Sequence, residues 1–345
     1  MKRLLAMTLW AVCAAAQAQV PHPAPDDALP GCAWARLQPG GASATGAWGL
    51  ADRQTGRAND ADTLFNIASV SKQFTALAVL LLAQDGQLDL DAPLSRYLPQ
   101  MTGALGQPTL RQMLHHTSGL PDYISPLFDA GREADTVTVE DTLALIRSQA
   151  GLDFAPGTRF AYSNTGYFLL AQVVEHISGS SLAAFSRQYI FEPLNLRATT
   201  IVDRYPSGLA RLARGYEMKD GQLRISESRW EQTGDGQVHT SARDLLIWLR
   251  HLDDDTPLTT PAGRATPGVL TLLTEGRAPE PGIGDRYRYG LSAVAFGDEA
   301  AWAHGGGWAG YRSLMAYVPG SHRGAAVLCN TTEVDVHERL EAMLQ

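Results

Sequence analysis

The C-terminal segment constrains the fold most. Beyond Arg286, apolar stretches at residues 287–296, 300–304, 311–318 and 324–330 are parted by Gly297-Asp298, Gly305-Gly306-Gly307 and Pro319-Gly320, the punctuation of an antiparallel run. Residues 334–344 read as a closing helix. Near the other end, residues 32–62 form a strand meander broken by Pro39-Gly40-Gly41 and Arg53-Gln54-Thr55-Gly56. Helical patterning lies between: residues 69–85, apolar nearly all round and stopped at Gly86, then shorter helices near 110–116, 139–149 and 167–177. Ser241-Ala242-Arg243-Asp244 is a capping box before a helix at 245–252. Strands at both ends with helices between predict an α+β domain over residues 32–345. Its antiparallel sheet is built from the two terminal segments, flanked by helices, and carries a largely helical insertion at roughly 87–240.

At the amino terminus, Lys2 and Arg3 precede an apolar run ending at Ala16, and Ala16-Gln17-Ala18 is an Ala-x-Ala cleavage pattern. Residues 1–18 therefore read as a secretory signal peptide and 19–31 as a Pro/Asp-rich leader, predicting a periplasmic or secreted protein with no membrane anchor once the signal is removed. The formal charge of −8 and the lack of a long basic run argue against a nucleic-acid partner, since phosphate binding rests on cationic electrostatics.

Lysine occurs only at Lys2, Lys72 and Lys219, and the other 25 cationic residues are arginine. Arginine stays charged, whereas a lysine amine can act as a base, so a lysine in a patterned place carries information. Lys72 closes Ser69-Val70-Ser71-Lys72, where positions i and i+3 share a helix face and an amine could take the serine proton. The plain alternative is a helix-start serine beside an ordinary lysine. Tyr162-Ser163-Asn164 sets a phenol and an amide on one wall of an extended segment, and equally suits a helix cap beside a core tyrosine. His304-Gly305-Gly306-Gly307 ends a strand where a substrate backbone can lie and a free N–H can face an oxyanion; a glycine-rich hairpin with a satisfied histidine is the alternative.

In this order the three motifs resemble the serine β-lactamase and penicillin-binding superfamily. Tyr-x-Asn in second place is similar to the branch of class C β-lactamases, D-Ala-D-Ala carboxypeptidases and β-lactamase-like esterases. So are residues 114–120, Leu-His-His-Thr-Ser-Gly-Leu, and 307–311, Gly-Trp-Ala-Gly-Tyr. The resemblance implies a β-lactamase-like fold and an acyl-enzyme on Ser69, with Lys72 and Tyr162 handling the proton and either one as the base. It implies that Asn164 orients a substrate amide and that the N–H groups of Ser69 and Gly307 form the oxyanion hole. His304, Gly305 and Gly306 then line the substrate strand, with His304 standing where many relatives have lysine.

Two departures bear on substrate. His304 replaces a permanent cation by a group mostly neutral near pH 7, and Gly305 supplies no hydroxyl for a substrate carboxylate. An ester or amide of a small molecule or short peptide is therefore expected ahead of an efficiently cleaved β-lactam, unless Arg312 holds the carboxylate. No cofactor or metal is expected: adjacent His115 and His116 diverge on a helix, and no His-Glu-x-x-His occurs. Signal cleavage would leave Cys32 and Cys329 as the cysteines of an exported chain. The resemblance puts them on neighbouring strands, implying a disulfide, with two free buried thiols as the alternative.

Overall fold

The computed structural model describes residues 28–41, 43–132, 136–205, 207–276, 282–284 and 286–345; the expected signal peptide and the front of the expected leader lie outside the described residues. Both chain ends enter one sheet. Strands β1 (Cys32–Leu37), β2 (Ala44–Trp48), β3 (Ser292–Phe296), β4 (Glu299–Trp308), β5 (Tyr311–Val318) and β6 (Arg323–Cys329) lie in the order β3-β4-β5-β6-β1-β2, every pair antiparallel. Cys32 stands opposite Cys329 in the β1–β6 register, and the two are joined by a disulfide across a sequence separation of 297.

Alternation along the strands builds two cores. Leu314, Ala316, Val318, Ala325 and Val327 face the closing helix, while Met315, Tyr317, Ala326 and Leu328 face the main core, as a side-chain period of two requires. The helices include α1 (Lys72–Gln84), α2 (Leu110–Leu114), α3 (Ile124–Asp129), α4 (Val139–Arg147), α5 (Asn164–Ser178), α6 (Ala242–Asp253) and α7 (Val336–Leu344). Here α6 packs on β1 and β6, and α7 on β5 and β6. The apolar α1 is buried from Lys72 to Leu82 and packs against α5, its Phe74 ring 5.0 Å from Trp248 of α6. Among the described residues no single helix is long and apolar enough to cross a membrane.

Several boundaries differ from the sequence reading, each for a local reason. The helix expected from Ser69 begins as α-helix at Lys72, and Ala68–Ser71 is a 3-10 turn. Gly305-Gly306-Gly307 is no separator: β4 runs on to Trp308, pairing these glycines with Leu314, Ser313 and Arg312, and the turn comes at Ala309-Gly310. The strand expected from 287 begins at Ser292, because Tyr287 and Tyr289 turn inward. There Gly290 (φ 82°) lies so close to α1 that a β-carbon would sit 2.4 Å from the Gln73 nitrogen. The capping box before α6 is half formed. Ser241 accepts from the Asp244 N–H, but the Asp244 carboxylate turns to Ala198 N and Thr199 Oγ1.

Candidate active site

The site is assembled where the start of α1 meets β4. In a 3-10 turn residues i and i+3 eclipse, which stacks Ser69 directly over Lys72. The turn is entered through Ala68 at φ 46°, a left-handed conformation costly for alanine, held by Ala68 N–H donating to Asn66 Oδ1 at 2.8 Å. Beneath it, Gly306 has no room for a side chain: a β-carbon would lie 2.4 Å from the Ile67 carbonyl and 2.5 Å from Ser313 Oγ. Ser313 Oγ donates to that same Ile67 carbonyl at 2.8 Å. The serine-bearing turn therefore rests on bare strand backbone.

Lys72 is fully buried, and its Nζ donates to Ser69 Oγ at 3.0 Å, Asn164 Oδ1 at 2.9 Å and the Asp235 carbonyl at 2.7 Å. Three oxygens thus surround the one nitrogen. Asn164 is locked in turn, since its Nδ2 and its backbone N–H both donate to Asp122 Oδ2, at 2.9 and 3.1 Å. Its side chain is thus engaged at both ends. Ser163 is the N-cap residue of α5 but makes no side-chain cap bond.

Tyr162 is 40% exposed, its ring centroid 4.9 Å from Lys72 Nζ and 4.2 Å from the ring of His116. His116 is buried at φ 56° and accepts from Ser163 N–H through Nδ1, so it supports the Tyr162 segment from below. Burial, then the charge of Lys72, holds its pKa well below the ordinary imidazole value. His115 is also buried, with Nδ1 on the Tyr287 carbonyl. Among the described residues no His, Cys, Asp or Glu side chains are grouped to hold a metal ion.

His304 lies behind the site, not in its opening. It is 7% exposed; Nδ1–H donates to the Gly305 carbonyl at 2.7 Å, and Nε2 accepts from the Tyr287 hydroxyl at 3.0 Å. Desolvation, then the neighbouring Lys72 charge, lowers its pKa to about 4, so the ring is neutral at pH 7. Gly307 does line the opening, with the Arg312 guanidinium beside it: Nη1 lies 3.1 Å from where a Gly307 β-carbon would be. Because β3 pairs with β4 only from Glu299 to Ala303, residues 304–308 leave that edge of the strand free of a sheet partner among the described residues.

These groups open into a cleft of about 730 Å³ lined by Ser69, Tyr162, Asn164, Gly307 and Arg312. Asp122, Tyr123 and Asp235 escaped the sequence reading, and of these Tyr123 and Asp235 line the cleft. Asp122 orients Asn164; Asp235 supplies the carbonyl that holds Lys72, and its carboxylate accepts from the Tyr123 hydroxyl at 2.8 Å. Desolvation raises the Asp235 pKa to about 6, against the lowering effect of Lys72. The available signals were slight: Asp122-Tyr123 follow the histidine-rich phrase after Pro121, and Asp235 sits between two glycines.

Comparison with known proteins agrees with this architecture. The family described as Beta-lactamase matches residues 14–345. Penicillin-binding protein 4* of Bacillus subtilis (strain 168) is 29% identical over 311 residues, covering 84% of this chain and 65% of that protein. Esterase EstB of Burkholderia gladioli is 32% identical over 298 residues, covering 74% of this chain and 72% of the esterase. The octameric penicillin-binding protein homologue from Pyrococcus abyssi superposes with a TM-score of 0.78 at 25% identity, over 91% of this chain and 72% of that one. The chain thus spans about two thirds to three quarters of the length of these relatives.

Proposed function

The chain belongs to the beta-lactamase family, and from that premise we propose that it is an exported serine hydrolase that cleaves an ester or amide bond through an acyl-enzyme on Ser69. The observation that carries this reading is the 3.0 Å hydrogen bond between Lys72 Nζ and Ser69 Oγ at the floor of an open cleft. Ser69 Oγ attacks the substrate carbonyl carbon while its proton passes to Lys72 as the neutral amine or to Tyr162 as the phenolate. The carbonyl oxygen becomes an oxyanion facing the N–H groups of Ser69 and Gly307. Collapse breaks the bond to the leaving oxygen or nitrogen, which takes the proton back. Water then attacks the acyl carbon, giving up a proton by the same route, and frees the acid and Ser69. Asn164 acts here by fixing Lys72, with its second Nδ2 hydrogen left for a substrate carbonyl.

Esters come first because the third motif offers no anchor for an anion: His304 is neutral and turned into the protein, and Gly305 has no hydroxyl. A second reading rests on Arg312, which lines the cleft with one N–H on the Tyr311 carbonyl and no ion pair among the described residues. It favours a carboxylate-bearing substrate: a D-Ala-D-Ala carboxypeptidase or other peptidase, then a class C-type β-lactamase, then a penicillin-binding sensor without turnover. A panel of nitrophenyl esters, D-Ala-D-Ala peptides and a chromogenic cephalosporin separates these. The expected result is kcat/KM for a short ester above that for the cephalosporin, lost in Ser69→Ala. Faster cephalosporin cleavage, abolished by Arg312→Ala, would replace the first reading by the second.

A further inference from the structure

The cleft lining includes an aromatic wall that the chemical steps do not use. Tyr123, Phe128, Trp230 and Trp308 reach it from three separate parts of the chain. Their centroids are 6.4 Å apart for Tyr123–Trp230, 5.7 Å for Phe128–Trp230, 5.9 Å for Phe128–Trp308 and 4.9 Å for Trp230–Trp308. The wall is anchored at its back: Tyr123 bonds to Asp235, and the Trp230 indole N–H donates to the Arg132 carbonyl at 3.1 Å. Its front is open, since Phe128 leaves 41% of its surface exposed while lining the cleft. A partly exposed aromatic cluster lining the same cleft as Ser69 has the arrangement of a binding surface.

Resting on the serine-hydrolase reading above, we infer that this wall is the acyl-group subsite and that the preferred substrates carry a flat aromatic ring in their acyl portion. Direction comes from the proton. The leaving atom must meet the Lys72–Tyr162 pair, and Tyr162 packs in a different aromatic cluster, with His116, Tyr287 and His304. The leaving group therefore points towards that cluster and the acyl substituent towards the wall, whose Trp308 directly follows Gly307 on β4. Ring shape comes from the wall itself. Its rings touch one another, so no gap is left to enclose an ammonium group, whereas a flat apolar surface suits offset or edge-on packing of another ring. At about 730 Å³ the cleft leaves an acetyl group with most of its space unfilled.

The test is kcat/KM for 4-nitrophenyl acetate, hexanoate, phenylacetate and 3-phenylpropionate, with one constant leaving group, on the wild type, Phe128→Ala, Trp308→Leu and Ser69→Ala. The expected result is an aryl ester about tenfold or more above acetate and above hexanoate. The aryl-to-acetate ratio should fall about tenfold in Phe128→Ala and in Trp308→Leu. Phe128 is half in solvent, so its truncation leaves the core intact; far-ultraviolet circular dichroism checks both variants. Ser69-dependent hydrolysis with no aryl preference, or a preference that both substitutions leave unchanged, would overturn the subsite alone. Absence of Ser69-dependent hydrolysis of every ester would overturn the parent reading and the subsite with it.

Discussion

Three oxygens around one buried amine decide what each nearby substitution does. Lys72→Arg keeps a cation but puts a planar guanidinium that does not deprotonate where a tetrahedral nitrogen met Ser69, Asn164 and Asp235. The acylation rate, followed by stopped flow with a nitrophenyl ester, should fall by about 10²–10⁴-fold. An arginine variant within tenfold of wild type would remove the proton role from Lys72. Tyr162→Phe should lose a comparable factor. It preserves the ring stacked on His116 and deletes only a hydroxyl on a partly exposed side chain, so its unfolding midpoint should stay put. The grouping of Ser69, Lys72, Tyr162 and Asn164 was legible in the sequence because their motifs are local patterns of three or four residues. Asp122 and Asp235 were not legible, since each acts only through a partner far away in the chain, Asn164 in one case and Lys72 in the other.

At the scale of elements, the 3-10 turn and β4 must touch backbone to side chain, and Gly306 is the point of contact. Gly306→Ala places a methyl 2.4 Å from the Ile67 carbonyl, so the turn bearing Ser69 has to lift from the strand. Overpacking of this kind costs about 1–3 kcal/mol, so the thermal midpoint should drop by about 3–10 °C. Gly305→Ala is the control, because its β-carbon meets nothing nearer than 3.6 Å. Equal midpoints for the two variants would mean that the turn does not rest on Gly306. The terminal sheet was readable because period-two alternation survives in β5 and β6. The extent of β4 was not: three glycines look like a turn until the opposing strand supplies Leu314, Ser313 and Arg312 as partners.

For the molecule as a whole, the sheet is closed by its own ends, and the Cys32–Cys329 bond shuts a loop across 297 positions. Chain entropy puts an upper bound of about 6 kcal/mol on what such a closure contributes. Acid should act through buried histidines. His304 and His239 have pKa values lowered to about 4 by desolvation, and His116 is lowered too. As pH falls below 6.5 the unfolded chain takes up protons that these folded rings refuse, so stability drops, each of the first two losing on the order of 3 kcal/mol by pH 4. Asp235, raised to about 6, acts oppositely: its folded carboxyl stays protonated while the unfolded one ionises, so its contribution falls as pH rises from 3.8 to 6. Raised Glu175 and Asp244 share that direction. Because the histidines carry the larger sum, the urea midpoint should be lower at pH 4.5 than at 6.8; an equal or higher midpoint would contradict this balance. The central claim, a covalent acyl-enzyme on Ser69, is met most directly by intact-mass spectrometry after brief exposure to a fluorophosphonate or a penicillin. A single adduct on the wild type and none on Ser69→Ala is the predicted result. An adduct of equal yield on both proteins would contradict it.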